Sequence, residues 1–159
     1  MNTKLPHDTP ENEEEACRII KNLKTLLTAQ HKNLAQYIDL AEKQKKAICS
    51  EDMDKISVYM ELENRCREAI TACDKAFVNW HKKYEKLALK NPDENIEKMY
   101  ASLQKLQERA YRANARNRAL VKEKLVNMKK EIAALSFKPY NVSSPYKKIG
   151  TPSFIDITS

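Results

Sequence analysis

The residues that could do chemistry in this chain are few, and their spacing does not suit it. There are three histidines, His7, His31 and His81, and four cysteines, Cys17, Cys49, Cys66 and Cys73. Metal sites built from these residue types use close pairs, because two ligands must converge from one turn or one helix face. No CxxC occurs, and the histidines are scattered. Nucleophilic catalysis needs a thiol or hydroxyl beside a base that a third group orients. General acid–base work needs carboxylates converging on a pocket. Neither arrangement stands out. The single glycine, Gly150, excludes a glycine-rich phosphate loop and a dinucleotide fingerprint, both of which need several glycines for close backbone approach. The sequence therefore predicts no catalytic residue, no metal ligand and no cofactor. The cysteines all fall in predicted helices and read as small core residues, kept reduced in a cytosolic compartment.

What the chain offers instead is surface for binding. From Glu94 to Leu135 no Pro or Gly interrupts the sequence. Apolar or small residues recur at Ile96, Met99, Leu103, Leu106, Ala110 and Ala113 in steps of three and four. The series meets Asn117, shifts phase, and resumes at Val121, Leu125, Met128, Ile132 and Leu135. Such steps put these groups on one helical face. A lone helix cannot bury such a stripe, so partner helices are required. The front half carries the stronger stripe. The middle, Ala110 to Asn117, is small and polar and predicts weaker packing, and the back half reads as a candidate binding surface. Between Lys98 and Lys148 stand thirteen Lys/Arg against three Glu, in a chain whose net charge is +7. These charges suit a solvated face, an acidic partner or nucleic acid. Against nucleic acid, no aromatic platform or reading motif accompanies them.

The elements that position this stretch follow from breaks in the pattern. Residues 1–11 are polar, contain two prolines and predict a flexible start. A first helix is predicted over 12–49, with the seam Ala16, Ile20, Leu23, Leu27, Gln30, Leu34, Tyr37, Ala41, Gln44 and Ile48 in heptad register. Ile19, Leu26 and Ile38 widen the stripe to suit a bundle. Ser50 is a good N-cap for a second helix over 51–90, and so short a connection makes the two helices antiparallel neighbours. The second seam is Ile56, Tyr59, Glu63, Cys66, Ile70, Cys73, Phe77, Trp80, Tyr84 and Leu87. Its aromatics, Phe77, Trp80 and Tyr84, should meet Ile19, Ile20 and Leu23 across the hairpin, as core or as the wall of a ligand pocket. Glu63 is the odd member, either solvated at the edge or paired with a base. Asn91 can cap a third helix over 93–136, with Pro92 at its first position. The fold class is thus all-α, a long antiparallel helical hairpin plus a third long helix, coiled-coil-like, followed by a flexible tail.

The tail, residues 137–159, holds three prolines and the one glycine, yet it keeps several apolar residues. It reads as a linear motif that orders on a partner, or as a segment packing back on its own bundle. The N-terminus has no apolar run of a secretory signal, and no stretch approaches a membrane span of about 20 apolar residues. The expectation is a soluble cytoplasmic protein with no membrane insertion.

Three segments together resemble the flagellar export chaperones of the FlgN family. One is the hairpin LLTAQHKNLAQYIDLAEKQKKAICSEDMDKISVYMELENRCREAI. The second is Asn114, Asn117 and Leu120-Val121, which is similar to that family's N-x-x-N-x-x-L-L stretch. The third is SSPYKKIG, which resembles its serine–tyrosine–glycine segment, with a wider spacing between Tyr146 and Gly150. The resemblance spans roughly residues 15–150. It implies a small cytoplasmic type III export chaperone. Its clients would be the C-terminal coiled-coil segments of the hook-associated (hook–filament junction) proteins FlgK and FlgL, kept unassembled and delivered to the cytoplasmic domain of the export gate FlhA. Substrate-protein binding would fall on Asn114, Asn117, Leu120, Val121, Leu125, Met128, Ile132 and Leu135. Gate docking would fall on Tyr146 and Gly150, with Tyr140 as a competitor. The residues alone leave open a homo-oligomeric coiled-coil scaffold or homodimer, in which the same stripe pairs with a second copy.

Overall fold

A computed structural model describes residues 10–136 of the chain. Among them it contains three α-helices, α1 (Pro10–Cys49), α2 (Met53–Ala88) and α3 (Glu94–Ser136), and no strand. The fold is all-α, as the seams require. The chain divides into two parts, one up to Lys124 and a second from Leu125 onward. The first holds α1, α2 and most of α3 as a three-helix bundle. The second, in its described residues, is the last stretch of α3.

The turn between α1 and α2 is built by the end of α1. Asp52 N–H reaches back to Ala47 C=O (3.0 Å) and Glu51 N–H to Ile48 C=O (3.2 Å). This crossed pair satisfies the carbonyls that a helix end leaves open. The geometry needs a left-handed residue, and Glu51 supplies it with φ 56°. A non-glycine residue there costs about 1 kcal/mol. Ser50 does not cap α2 as its type suggested. Its hydroxyl donates to Ala47 C=O at 3.2 Å, because the closing turn of α1 consumes it. Asp52 is the cap, accepting from Lys55 N–H at 3.1 Å, so α2 begins at Met53 rather than at residue 51.

The second turn shows the same kind of correction. Asn91 and Pro92 do not open α3. Asp93 does, with its carboxylate accepting from Ile96 N–H at 3.0 Å and its C=O from Glu97 N–H at 3.1 Å. Lys24 of α1 binds the other carboxylate oxygen at 3.0 Å. The buried Tyr84 hydroxyl accepts from Asp93 N–H (3.0 Å) and donates to Glu97 Oε1 (3.1 Å). Asp93 wins over Asn91 because a charged cap is favoured at a helix start and a cation fixes it there.

The core lies along α1. Leu23, Leu27, Leu34, Tyr37, Ala41 and Ile48 of the expected seam are buried, and so are Ile19, Leu40 and Ala47. So wide a buried arc fits a helix covered from two sides. α3 adds Ile96, Leu103, Leu106, Ala110 and Ala113. α2 is the least covered helix, since only its Cys73 and Tyr84 are buried and the rest of its seam is half-buried. The expectation of weak packing from Ala110 to Asn117 does not hold. Ala110, Ala113 and Asn117 are all buried, because small side chains let helices approach closely. The reading of all four cysteines as core also needs correcting. Cys73 is buried, Cys66 half-buried, and Cys17 and Cys49 are exposed.

Candidate functional site

Asn114 and Asn117 head the expected binding residues, and both have partners inside the bundle. Asn117 is buried, and its amide donates to Ala41 C=O (2.8 Å) and to Gln44 Oε1 (3.0 Å). Gln44 in turn donates to Glu63 Oε2 at 3.0 Å. Glu63 Oε1 accepts from Tyr37 OH (3.0 Å) and from Asn114 Nδ2 (3.2 Å). Asn114 also reaches Tyr37 OH, and Arg67 binds Glu63 from one turn along α2. One carboxylate therefore joins all three helices. The question about Glu63 is answered by neutral donors across the hairpin and a base on its own helix. Each buried polar atom in this layer finds a partner, which keeps the desolvation cost from being left uncompensated. Arg116 closes the outer side, pairing with Glu42 at 2.9 Å.

Beyond this layer α3 loses its cover. Leu120 is half-buried and Val121 is exposed (40%). Lys124 pairs with Glu51 in the α1–α2 turn at 2.6 Å. This contact raises the lysine pKa, chiefly through the hydrogen bond to Glu51, and lowers that of Glu51 in the same way.

The second part is described by itself. Every residue from Leu125 to Ser136 is exposed, and Leu125 (52%), Met128 (52%), Ile132 (58%) and Leu135 (67%) stand among them at helical spacing. Single exposed apolar side chains are ordinary, whereas here they recur at helical spacing along one stretch of helix.

At the other end of the hairpin, the aromatic residues act as core. Tyr84 is buried, and Phe77 and Trp80 pack on the cluster of Ile19, Leu23 and Ile96. Tyr100 of α3, off the apolar stripe and missed by the sequence reading, joins them. It meets Phe77 edge-on at a centroid distance of 5.8 Å and shares a 2.7 Å hydrogen bond with His81 Nδ1. Burial pushes the Tyr100 hydroxyl pKa well above the ordinary tyrosine value. A residue one position off the stripe at the crowded end of a helix was the available signal. Tyr140, Tyr146 and Gly150 lie outside the described residues. No group of three His, Cys, Asp or Glu able to hold a metal occurs among the described residues.

Comparison with known proteins decides the family. The profile of the FlgN family, described as "FlgN protein", matches residues 19–153, most of the chain. The chain belongs to the FlgN family. FlgN proteins are flagellar export chaperones and not enzymes, which places this FlgN-family chain among proteins that assist flagellum assembly. It is also similar to an uncharacterised protein of Treponema pallidum (strain Nichols), 27% identical over 125 residues, covering 76% of this chain and 79% of that protein. No solved structure matches. None of the helices in the described residues is long and apolar enough to cross a membrane.

Proposed function

We propose that this chain is a cytoplasmic flagellar type III export chaperone that binds the C-terminal helical segments of the hook-associated proteins FlgK and FlgL. The observation that carries this reading is the exposure of Leu125, Met128, Ile132 and Leu135 at helical spacing in a chain of the FlgN family. A client that assembles through helical contacts needs a replacement apolar stripe while it is held unassembled, and an exposed stripe on a helix is that replacement. Leu120 and Val121 extend the surface. Asn114 and Asn117, with partners inside the bundle, serve it by fixing the helix that carries it. Delivery occurs at the export gate, where the chaperone is present transiently. Tyr146 and Gly150, with Tyr140 as a competitor, dock on the FlhA cytoplasmic domain. Ordering of the client offsets part of the burial gain, so affinity is about micromolar.

The test is co-purification of the chain with the C-terminal segments of FlgK and FlgL, with a flagellin segment as control. A complex with a junction-protein segment, lost in Val121→Asp and Leu125→Asp while helicity is retained, is the expected result. Absence of any complex, together with a defined homo-oligomer by light scattering, would instead favour the homo-oligomeric scaffold, with the same stripe buried between copies.

A further inference from the structure

The bases of α2 fall into two groups. In its first half each base has a carboxylate partner: Lys55 with Asp52, Arg65 with Glu61 and Arg67 with Glu63. From Thr71 to Lys90 the balance changes. Lys75, Lys82, Lys83, Lys86 and Lys90 stand in this stretch against two acids, Asp74 and Glu85. Both acids are engaged elsewhere, Asp74 by Gln30 Nε2 at 2.7 Å and Glu85 by His81 at 3.2 Å. None of the five lysines has an ion-pair partner among the described residues.

These lysines also share a side of the helix. Lys75 and Lys86 each follow a buried residue, Cys73 or Tyr84, by two positions, and Lys82 precedes Tyr84 by two. At about 3.6 residues per turn, two positions apart means nearly opposite sides, so these three exposed lysines face away from the core. Lys83 and Lys90 adjoin the row where α2 passes the start of α1. With Lys86 they line one wall of a cleft of about 850 Å³, whose other wall includes Glu13 and Glu15. Glu15 is paired with Arg18, and Lys83 Nζ lies over the Trp80 ring, 4.8 Å from its centroid. Two exposed apolar residues border the row on its other edge. They are Val78 (53%), four positions before Lys82, and Leu89 (89%), seven after it.

Such a face is suited to attraction by charge rather than to close fit. All five bases are lysines, compact point charges without the arginine fork that reads one carboxylate or phosphate through two bonds. The aromatic rings of the stretch, Phe77, Trp80 and Tyr84, belong to the core cluster, so they give the bases of a single strand no stacking platform among the lysines. We infer that this face of α2 rests reversibly on an anionic phospholipid surface, with the lysines among the headgroups and Val78 and Leu89 at the interface. An anionic leaflet attracts each lysine near it, and exposed apolar groups beside the bases add to the contact. The contact is peripheral, since no helix among the described residues is long and apolar enough to cross a membrane. The inference goes beyond the chaperone reading and holds whichever client the chain carries.

The test is flotation of the full chain with vesicles of phosphatidylcholine alone or with about 30% phosphatidylglycerol. The chain is expected to float with the anionic vesicles at low salt, to ignore the neutral ones, and to be released as salt rises. K75E/K82E/K86E should weaken binding at least about tenfold, and K75R/K82R/K86R should retain it. K21E/K32E/K46E, an equal charge change at exposed lysines of α1, should cost less than about threefold. Circular dichroism reports whether each variant keeps its helices, and K75Q/K82Q/K86Q replaces the glutamate variant if that one does not. No binding to anionic vesicles at low salt would overturn the inference and leave a solvated face. Equal losses in the two glutamate variants would overturn it too. So would binding that survives K75E/K82E/K86E and is lost in Leu125→Asp, which would put the contact at the end of α3. Tighter retention of a single-stranded oligonucleotide than of the vesicles, lost in K75E/K82E/K86E, would assign the row to nucleic acid instead.

Discussion

Glu63 accepts from Tyr37 and Gln44 of α1 and from Asn114 of α3, with Arg67 beside it. Its oddness on an apolar seam was visible in the sequence, but its partners were not. They lie 26, 19 and 51 positions away, and no local pattern ties such distances together. Removing the carboxylate strands donors on two helices, so Glu63→Ala should cost about 2–4 kcal/mol in urea denaturation, whereas exposed Glu61→Ala should stay within about 0.5 kcal/mol. Asp93 gives a pH prediction. The Ile96 N–H, and then Lys24, hold its carboxyl below the usual aspartate value. The unfolded chain therefore binds the proton more readily, and stability must rise with pH across that window. The contribution is complete above the ordinary value of about pH 4 and fades as pH falls through the lower folded value. Asp93→Asn keeps a capping residue, so it should flatten the acid limb of a stability–pH curve. An unchanged acid limb would show that the cap charge contributes nothing there.

Helix α3 carries one stripe with two fates. Leu103 and Leu106 are buried in the core, while Ile132 and Leu135 are exposed at 58% and 67%. Leu103→Ala should cost about 2–4 kcal/mol from lost burial and a residual cavity, and Ile132→Ala less than about 0.5 kcal/mol. A comparable loss at both sites would mean that the stripe is buried along its whole length. Hydrogen exchange should give the same division without mutation. Amides near Leu103 should exchange only on global unfolding, and those from Leu125 to Ser136 much faster, with client slowing the second group. Periodicity placed the front half on the face that the bundle buries, and it marked the back half as a surface to be covered without saying by what, since an amphipathic pattern reports only that a face will be covered. The turns were legible in position and wrong in detail, because Ser50 and Asn91 are good caps by type yet the caps form at Asp52 and Asp93.

For the molecule as a whole, the part ending at Lys124 contains every buried residue among those described. Residues 1–124 alone should therefore fold, with a melting temperature within a few degrees of the full chain by circular dichroism, and should lose client binding. Loss of cooperative melting on truncation would show that the later residues belong to the core. The sequence by itself determined the three helices, their antiparallel hairpin and the seam of α1. These follow from local spacing, turn chemistry and residue type, which the chain carries at each point. Only the tertiary structure decided which caps form, that Asn114 and Asn117 are held within the bundle, and where the stripe of α3 passes from core to solvent. Those outcomes depend on which distant groups arrive at the same place: Lys24 at Asp93, and Tyr37 and Gln44 at Glu63. At Glu51, where α1 and α2 turn back, Lys124 pairs with the hairpin, and every residue from Leu125 to Ser136 is exposed.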